Sequence, residues 1–105
     1  MKKLFISQPM RGKTNEEIRA ECKKAIEEAE TLLGEKVEII DSFFAGFSGN
    51  TLTCLAESIK LLAKSDIVYF AKGWKNARGC RIEHECAVEY GIDRIEVNEE
   101  AEDDV

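Results

Sequence analysis

Asp66-Ile67-Val68-Tyr69-Phe70-Ala71 is the stretch on which the fold turns. Its apolar run is unbroken and lacks the alternation of a strand with one wet face. That continuity suits a central strand of a parallel sheet, covered on both sides. Outward from it, Lys3-Leu4-Phe5-Ile6-Ser7 and Val37-Glu38-Ile39-Ile40-Asp41 read as two earlier strands, and Arg94-Ile95-Glu96-Val97 as a fourth. Helical periods separate them. Thr14-Asn15-Glu16-Glu17 fits a capping box with Thr14 as N-cap, and the stripe Ile18, Cys22, Ala25, Ala29 and Leu32 follows before Leu33-Gly34 stops it. A second helix starts at Thr51 or Thr53, with Leu52, Leu55, Ile59 and Leu62 in register and Cys54 and Leu61 widening its apolar arc. A third runs from about Gly79 to Tyr90, and Gly91 ends it. The order β-α-β-α-β-α-β with right-handed crossovers predicts a three-layer α/β/α domain, its four parallel strands in the order 2-1-3-4.

A chain of 105 residues with 44% hydrophobic and 34% charged residues fits one folded domain rather than a disordered segment. The net charge is −6, but five acids (Glu99, Glu100, Glu102, Asp103, Asp104) fall in residues 99–105 with no base, so residues 1–98 carry only −1. The expectation is a domain over 1–98 and a solvated acidic tail. No basic footprint suggests long DNA or RNA as a partner, although a small anion remains open. No apolar run approaches the ~20 residues of a membrane span. The apolar start Leu4-Phe5-Ile6 is too short for a secretion signal, which makes the cytoplasm the expected compartment. Cysteines 22, 54, 80 and 86 show no C-x-x-C spacing and suggest no disulfide framework. Cys80, His84 and Cys86 invite a zinc reading, but they lack the four ligands and clean spacing of a structural site.

In an open parallel sheet, ligands bind outside the carboxyl ends of the strands. Loops 7–14, 41–50 and 72–79 reach that edge. At about 100° per residue, the third helix places Cys80, Ile82, Glu83, Cys86, Ala87 and Tyr90 on a sheet-facing arc, with Arg81, Glu85 and Glu89 opposite. A carboxylate on the inner arc is costly unless it is paired or has a task. Glu83 is therefore either a chemical group or a partner for the helix dipole, Arg11 or Arg78. Ser7, Gln8, Arg11, Gly12 and Lys13, ahead of a helix capped by Thr14, suit a phosphate; a solvated turn before a capped helix is the plainer alternative. The loop has neither a Walker pattern nor G-x-G-x-x-G. Asp41 would contact sugar hydroxyls or cap the next turn, and Asn76 and Gly79 are further candidates on the substrate side. Asp66 opens its strand at the opposite edge and reads as structural. His84 reads as a surface residue. Trp74 is a base-stacking group, a lid over the core or an interface anchor. The wide apolar arc of the second helix, with Phe43, Phe44, Phe47 and Trp74, suggests a homodimer or higher homo-oligomer, with Leu61 off the stripe as a probe.

Two stretches carry a family resemblance. Phe5-Ile6-Ser7-Gln8-Pro9-Met10-Arg11-Gly12-Lys13-Thr14 and Gly73-Trp74-Lys75-Asn76-Ala77-Arg78-Gly79-Cys80-Arg81-Ile82-Glu83-His84-Glu85 resemble an uncharacterised bacterial and phage family, a domain of unknown function placed beside the nucleoside 2-deoxyribosyltransferases. The resemblance spans nearly all of residues 3–97 and implies a flavodoxin-like, deoxyribosyltransferase-like fold. In the transferases a Gly-x-x-x-Glu-x-Gly-x-Ala segment carries the nucleophile, and Glu83 matches it, with Glu85 in place of the second glycine. Arg11-Gly12 with Lys13 looks like the phosphate loop of the related 2-deoxynucleoside 5-monophosphate N-hydrolases. Ser58 and Ala77 stand where the transferases carry aspartates, so the resemblance leaves the proton donor to Asp41, Glu85 or a partner-subunit group. It implies a nucleoside or nucleotide as the small-molecule partner, and no metal or organic cofactor. A module that binds the nucleotide without turnover is the alternative.

Overall fold

The computed structural model describes residues 1–40 and 50–97. The chain runs β1 (Lys2–Ser7), α1 (Asn15–Leu33), β2 (Val37–Ile40), α2 (Thr51–Leu62), β3 (Ile67–Phe70), a 3-10 turn (Trp74–Asn76), α3 (Arg78–Glu89) and β4 (Asp93–Glu96). All strand pairs are parallel, in the order β2-β1-β3-β4. Asp41, Phe43, Phe44, Phe47 and the acidic residues 99–105 lie outside the described residues.

The period of two in β1 and β3 divides the core. Leu4 and Ile6 join Ile67, Tyr69, Ala25 and Ala29 on the α1 side of the sheet. Phe5 joins Val68, Phe70, Leu62, Cys80 and Ala87 on the side of α2 and α3. Small residues at Ala25, Ala29 and Ala87, all fully buried, let the helices approach the sheet closely. Helix α1 begins as its sequence dictates. Thr14 Oγ1 accepts from the Glu17 backbone N–H, and the Glu17 carboxylate accepts from the Thr14 N–H. The Tyr69 hydroxyl ties α1 to β3 by donating to Glu28 at 2.6 Å, and burial pushes its phenol well above the ordinary value. Asp66 accepts from the Lys3 backbone N–H at 2.7 Å, far from the carboxyl edge, which is a structural role.

Several faces differ from the sequence expectation. Leu32 is 62% exposed, and Leu33 and Ile26 pack on the core instead, because the buried arc of α1 is centred nearer Cys22. In α2, Leu52 is exposed, whereas Leu61 packs beside Leu62 against the cluster of Phe5 and Val68. Leu61 is therefore a core contact and no probe of association. In α3 only Cys80, Glu83 and Ala87 are buried. Ile82 and Tyr90 are exposed, since a helix lying on a sheet buries a narrower arc than the sequence reading allowed. Among the described residues, no helix is long and apolar enough to cross a membrane.

Candidate functional site

The parity of β1 decides what meets Glu83. Phe5 and Ser7 share a face, so Ser7, the last residue of β1, points toward α3 at the carboxyl edge of the sheet. Its Oγ donates to Glu83 Oε1 at 2.6 Å, with both residues buried. Burial pushes the Glu83 carboxyl up to about 7, and the Ser7 hydroxyl opposes this by favouring the charged form. Among the described residues Glu83 has no ion pair, so neither Arg11 nor Arg78 neutralises it there. Cys80, one turn earlier in α3, also reaches Ser7. Burial raises its thiol to about 11; the Ser7 hydroxyl pulls the other way, and Glu83 adds to the rise. Cys80 thus stays a protonated thiol beside the carboxyl.

Lys13 is half-buried and acts electrostatically on Cys80, which brings the loop after β1 to the first turn of α3. Arg11 and Gly12 are exposed in the turn closed by Lys13 N–H donating to the Met10 carbonyl at 3.2 Å. Gly12 has φ 76, a conformation that L side chains rarely adopt. Gln8 follows Ser7 and so faces the other side of the sheet. Its amide donates to the Ile18 carbonyl at 3.3 Å and to Cys22 Sγ at 3.1 Å. Its Oε1 has no hydrogen-bond partner among the described residues. Ser7 and Glu83 are therefore brought together, Lys13 lies near them, and Gln8 is turned to α1. Asn76 is exposed in the 3-10 turn, and Gly79 packs near Leu55 in the first turn of α3. Asp41 directly follows Ile40, the last residue of β2, and lies outside the described residues.

A second cluster flanks the first and was missed in the sequence. His84 is not a free surface residue. Four residues after Cys80, it returns to that side of α3. Its ring stacks on Trp74 with centroids 4.3 Å apart and meets Phe70 edge-on at 5.0 Å. His84 Nε2 lies 2.6 Å from Glu96 Oε2, and Arg94 Nε donates to the same oxygen at 3.1 Å. The hydrogen bond with His84, and then that from Arg94, hold the Glu96 carboxyl below the usual carboxylate range. Trp74, 6% exposed, is thus a lid over the core. Gly73 makes the lid possible: at φ 89, a Cβ there would lie 3.2 Å from Pro9 Cγ. The sequence offered Trp74 as a lid over the core, and the spacing of His84 from Cys80 is the signal that could have placed His84 beneath it.

No group of three or more His, Cys, Asp or Glu among the described residues is placed to hold a metal ion. Two surface clefts, of about 400 and 510 Å³, lie on the outer face of α3 and between α1 and the β1–β2 edge; neither is lined by Ser7 or Glu83.

A family model described as Domain of unknown function (DUF4406) matches residues 2–95. No curated protein and no solved structure matches the chain.

Proposed function

For a chain that belongs to the DUF4406 family, we propose cleavage or transfer of the N-glycosidic bond of a deoxynucleoside or its 5′-monophosphate, with Glu83 as nucleophile. The observation that carries this reading is a buried carboxyl without a counter-cation among the described residues, held by one hydroxyl at the carboxyl edge of a parallel sheet. It is supported by the resemblance of the 73–85 segment to the transferases.

In the first step a Glu83 carboxylate oxygen bonds to C1′ and the C1′–N bond breaks, its electron pair leaving with the base. The departing base takes a proton. Glu85 is exposed on the outer side of α3, away from Glu83, which leaves Asp41 or a partner-subunit group as the donor. Water or a second base then attacks C1′ and releases Glu83. Arg11 and Lys13, with Gly12 shaping the turn, would take the 5′-phosphate.

The test is base release from a panel of nucleosides and nucleoside monophosphates. A nucleophile must be ionised, so release should rise with pH through about 7 and level off above it. A general acid at the same position would give the opposite slope. Ser7→Ala removes a hydrogen bond to the charged form and should move the rising limb to higher pH. Arg11→Ala should raise KM for monophosphates about 10–100-fold and leave nucleosides nearly unchanged. Absence of base release across the panel, with nucleotide still bound in calorimetry, would replace the enzyme by a binding module.

A further inference from the structure

The outward face of α3 carries a charge pattern that the chemistry at Glu83 does not use. Arg78 and Arg81 lie at its N-terminal end, Glu85 and Glu89 at its C-terminal end. Ile82, Cys86 and Tyr90 run beside them, and the cleft of about 400 Å³ lies along this stripe. Tyr90 is 84% exposed. Leu52 of α2, the helix packed against α3, is 72% exposed. The side chains of Arg78, Glu85 and Glu89 make no ion pair or hydrogen bond among the described residues. Arg81 spends one nitrogen on the Lys75 carbonyl at 3.0 Å and leaves the rest of its fork open.

We infer that this face of α3 docks against the same face of a second copy of the chain, antiparallel about a two-fold axis near the helix midpoint. The pattern is self-complementary only in that arrangement. From Arg78 to Glu89 the helix rises about 16 Å. Reversing one copy sets Arg78 opposite the partner's Glu89, Arg81 opposite the partner's Glu85 and Ile82 opposite the partner's Cys86. A parallel arrangement would set like charges on each other. An isologous contact of this kind closes on itself and stops at a dimer. Tyr90 then covers the stem of the partner's Arg78, and Leu52 extends the apolar seam. The charges fix the register, and the seam supplies the burial. This inference goes beyond the reaction proposed above and does not depend on it, because Glu83 points the other way, into the sheet.

Sedimentation velocity over micromolar to near-millimolar chain concentrations tests it. Wild type should show a monomer–dimer equilibrium that rising salt weakens. Arg78→Glu and Glu89→Arg should each lose the dimer, a rise in dissociation constant of at least about a hundredfold. Both place the new charge where the helix dipole favours it, so both should fold as well as wild type. An equimolar mixture of the two should regain a dimer, because every facing pair is then opposite in sign. Tyr90→Ala, which changes no charge, should weaken association about tenfold. A wild type that is monomeric throughout, single variants that still dimerise, or a mixture that stays monomeric would each overturn the inference. Base release is not part of this readout, so failure here and failure of the proposed reaction are told apart.

Discussion

Glu83→Gln is expected to abolish base release and, in the same molecule, to make the fold more stable above pH 7. The first effect follows if Glu83 is the attacking group. The amide keeps the shape and loses the charged oxygen, and the rate should fall by at least roughly a thousandfold. The second effect follows from burial. The carboxyl titrates near 4.5 in the unfolded chain and near 7 in the folded one. Between those values the folded state holds the proton that the unfolded state has lost, so stability falls as pH rises through this window, and the cost is complete above about 7. A shift of this size corresponds to about 3 kcal/mol. Glutamine does not titrate and can still accept from Ser7, but it buries an amide that needs its own partners. The net gain should be roughly 1–3 kcal/mol at pH 8 and near zero at pH 4. Urea unfolding at both pH values measures it. An ion-pair role for Glu83 would have given the opposite sign, a loss of stability on substitution. Gain of stability with loss of activity is the signature of a group kept in an unfavourable place for its chemistry.

Trp74→Ala should cost about 3–5 kcal/mol, the range for removing a large aromatic from a core. Trp74 is 6% exposed, stacks on His84 and lies 5.4 Å from Phe70 between ring centroids. For a domain of this size such a loss lowers Tm by roughly 15–30 °C. It should also release His84, the residue after Glu83, from the surface that holds it against Phe70 and Glu96. Activity should therefore drop even at temperatures where the variant is folded. Trp74→Phe keeps a ring over His84. Trp74 Nε1 has no hydrogen-bond partner among the described residues, so the phenylalanine variant gives up little polar interaction and should retain most of the stability. Thermal melts of both variants, with base release measured well below each Tm, check the argument.

Local rules were enough for much of the fold. The unbroken apolar run at 67–70 marked the central strand, the capping box at Thr14 marked the start of α1, and alternating periods with right-handed crossovers led to the strand order. These signals are legible because backbone geometry imposes them on neighbours in sequence. The helix faces were less legible. Leu32, Ile82 and Tyr90 satisfy a helical period and still face outward, while Leu61 and His84, off the stripe, are half-buried against the core and Trp74. A period identifies an apolar stripe, but how wide an arc is buried depends on how the helix rests on its sheet.

The candidate site divides in the same way. That Glu83 is a carboxylate on the inner side of a helix starting at the carboxyl edge follows from the sequence by itself, as does the presence of Ser7 at the end of the first strand. That the two touch does not follow. It depends on the parity of β1, which turns Ser7 toward α3 and Gln8 toward α1, and on the close approach of α3 that Ala87 and Cys80 allow. Only the tertiary structure decided that Glu83 has a hydroxyl rather than an arginine beside it, and that His84 is bound between Trp74 and Glu96. The reason is physical. Residue type and spacing determine local conformation, whereas partners separated by 76 positions, such as Ser7 and Glu83, are chosen by register and packing.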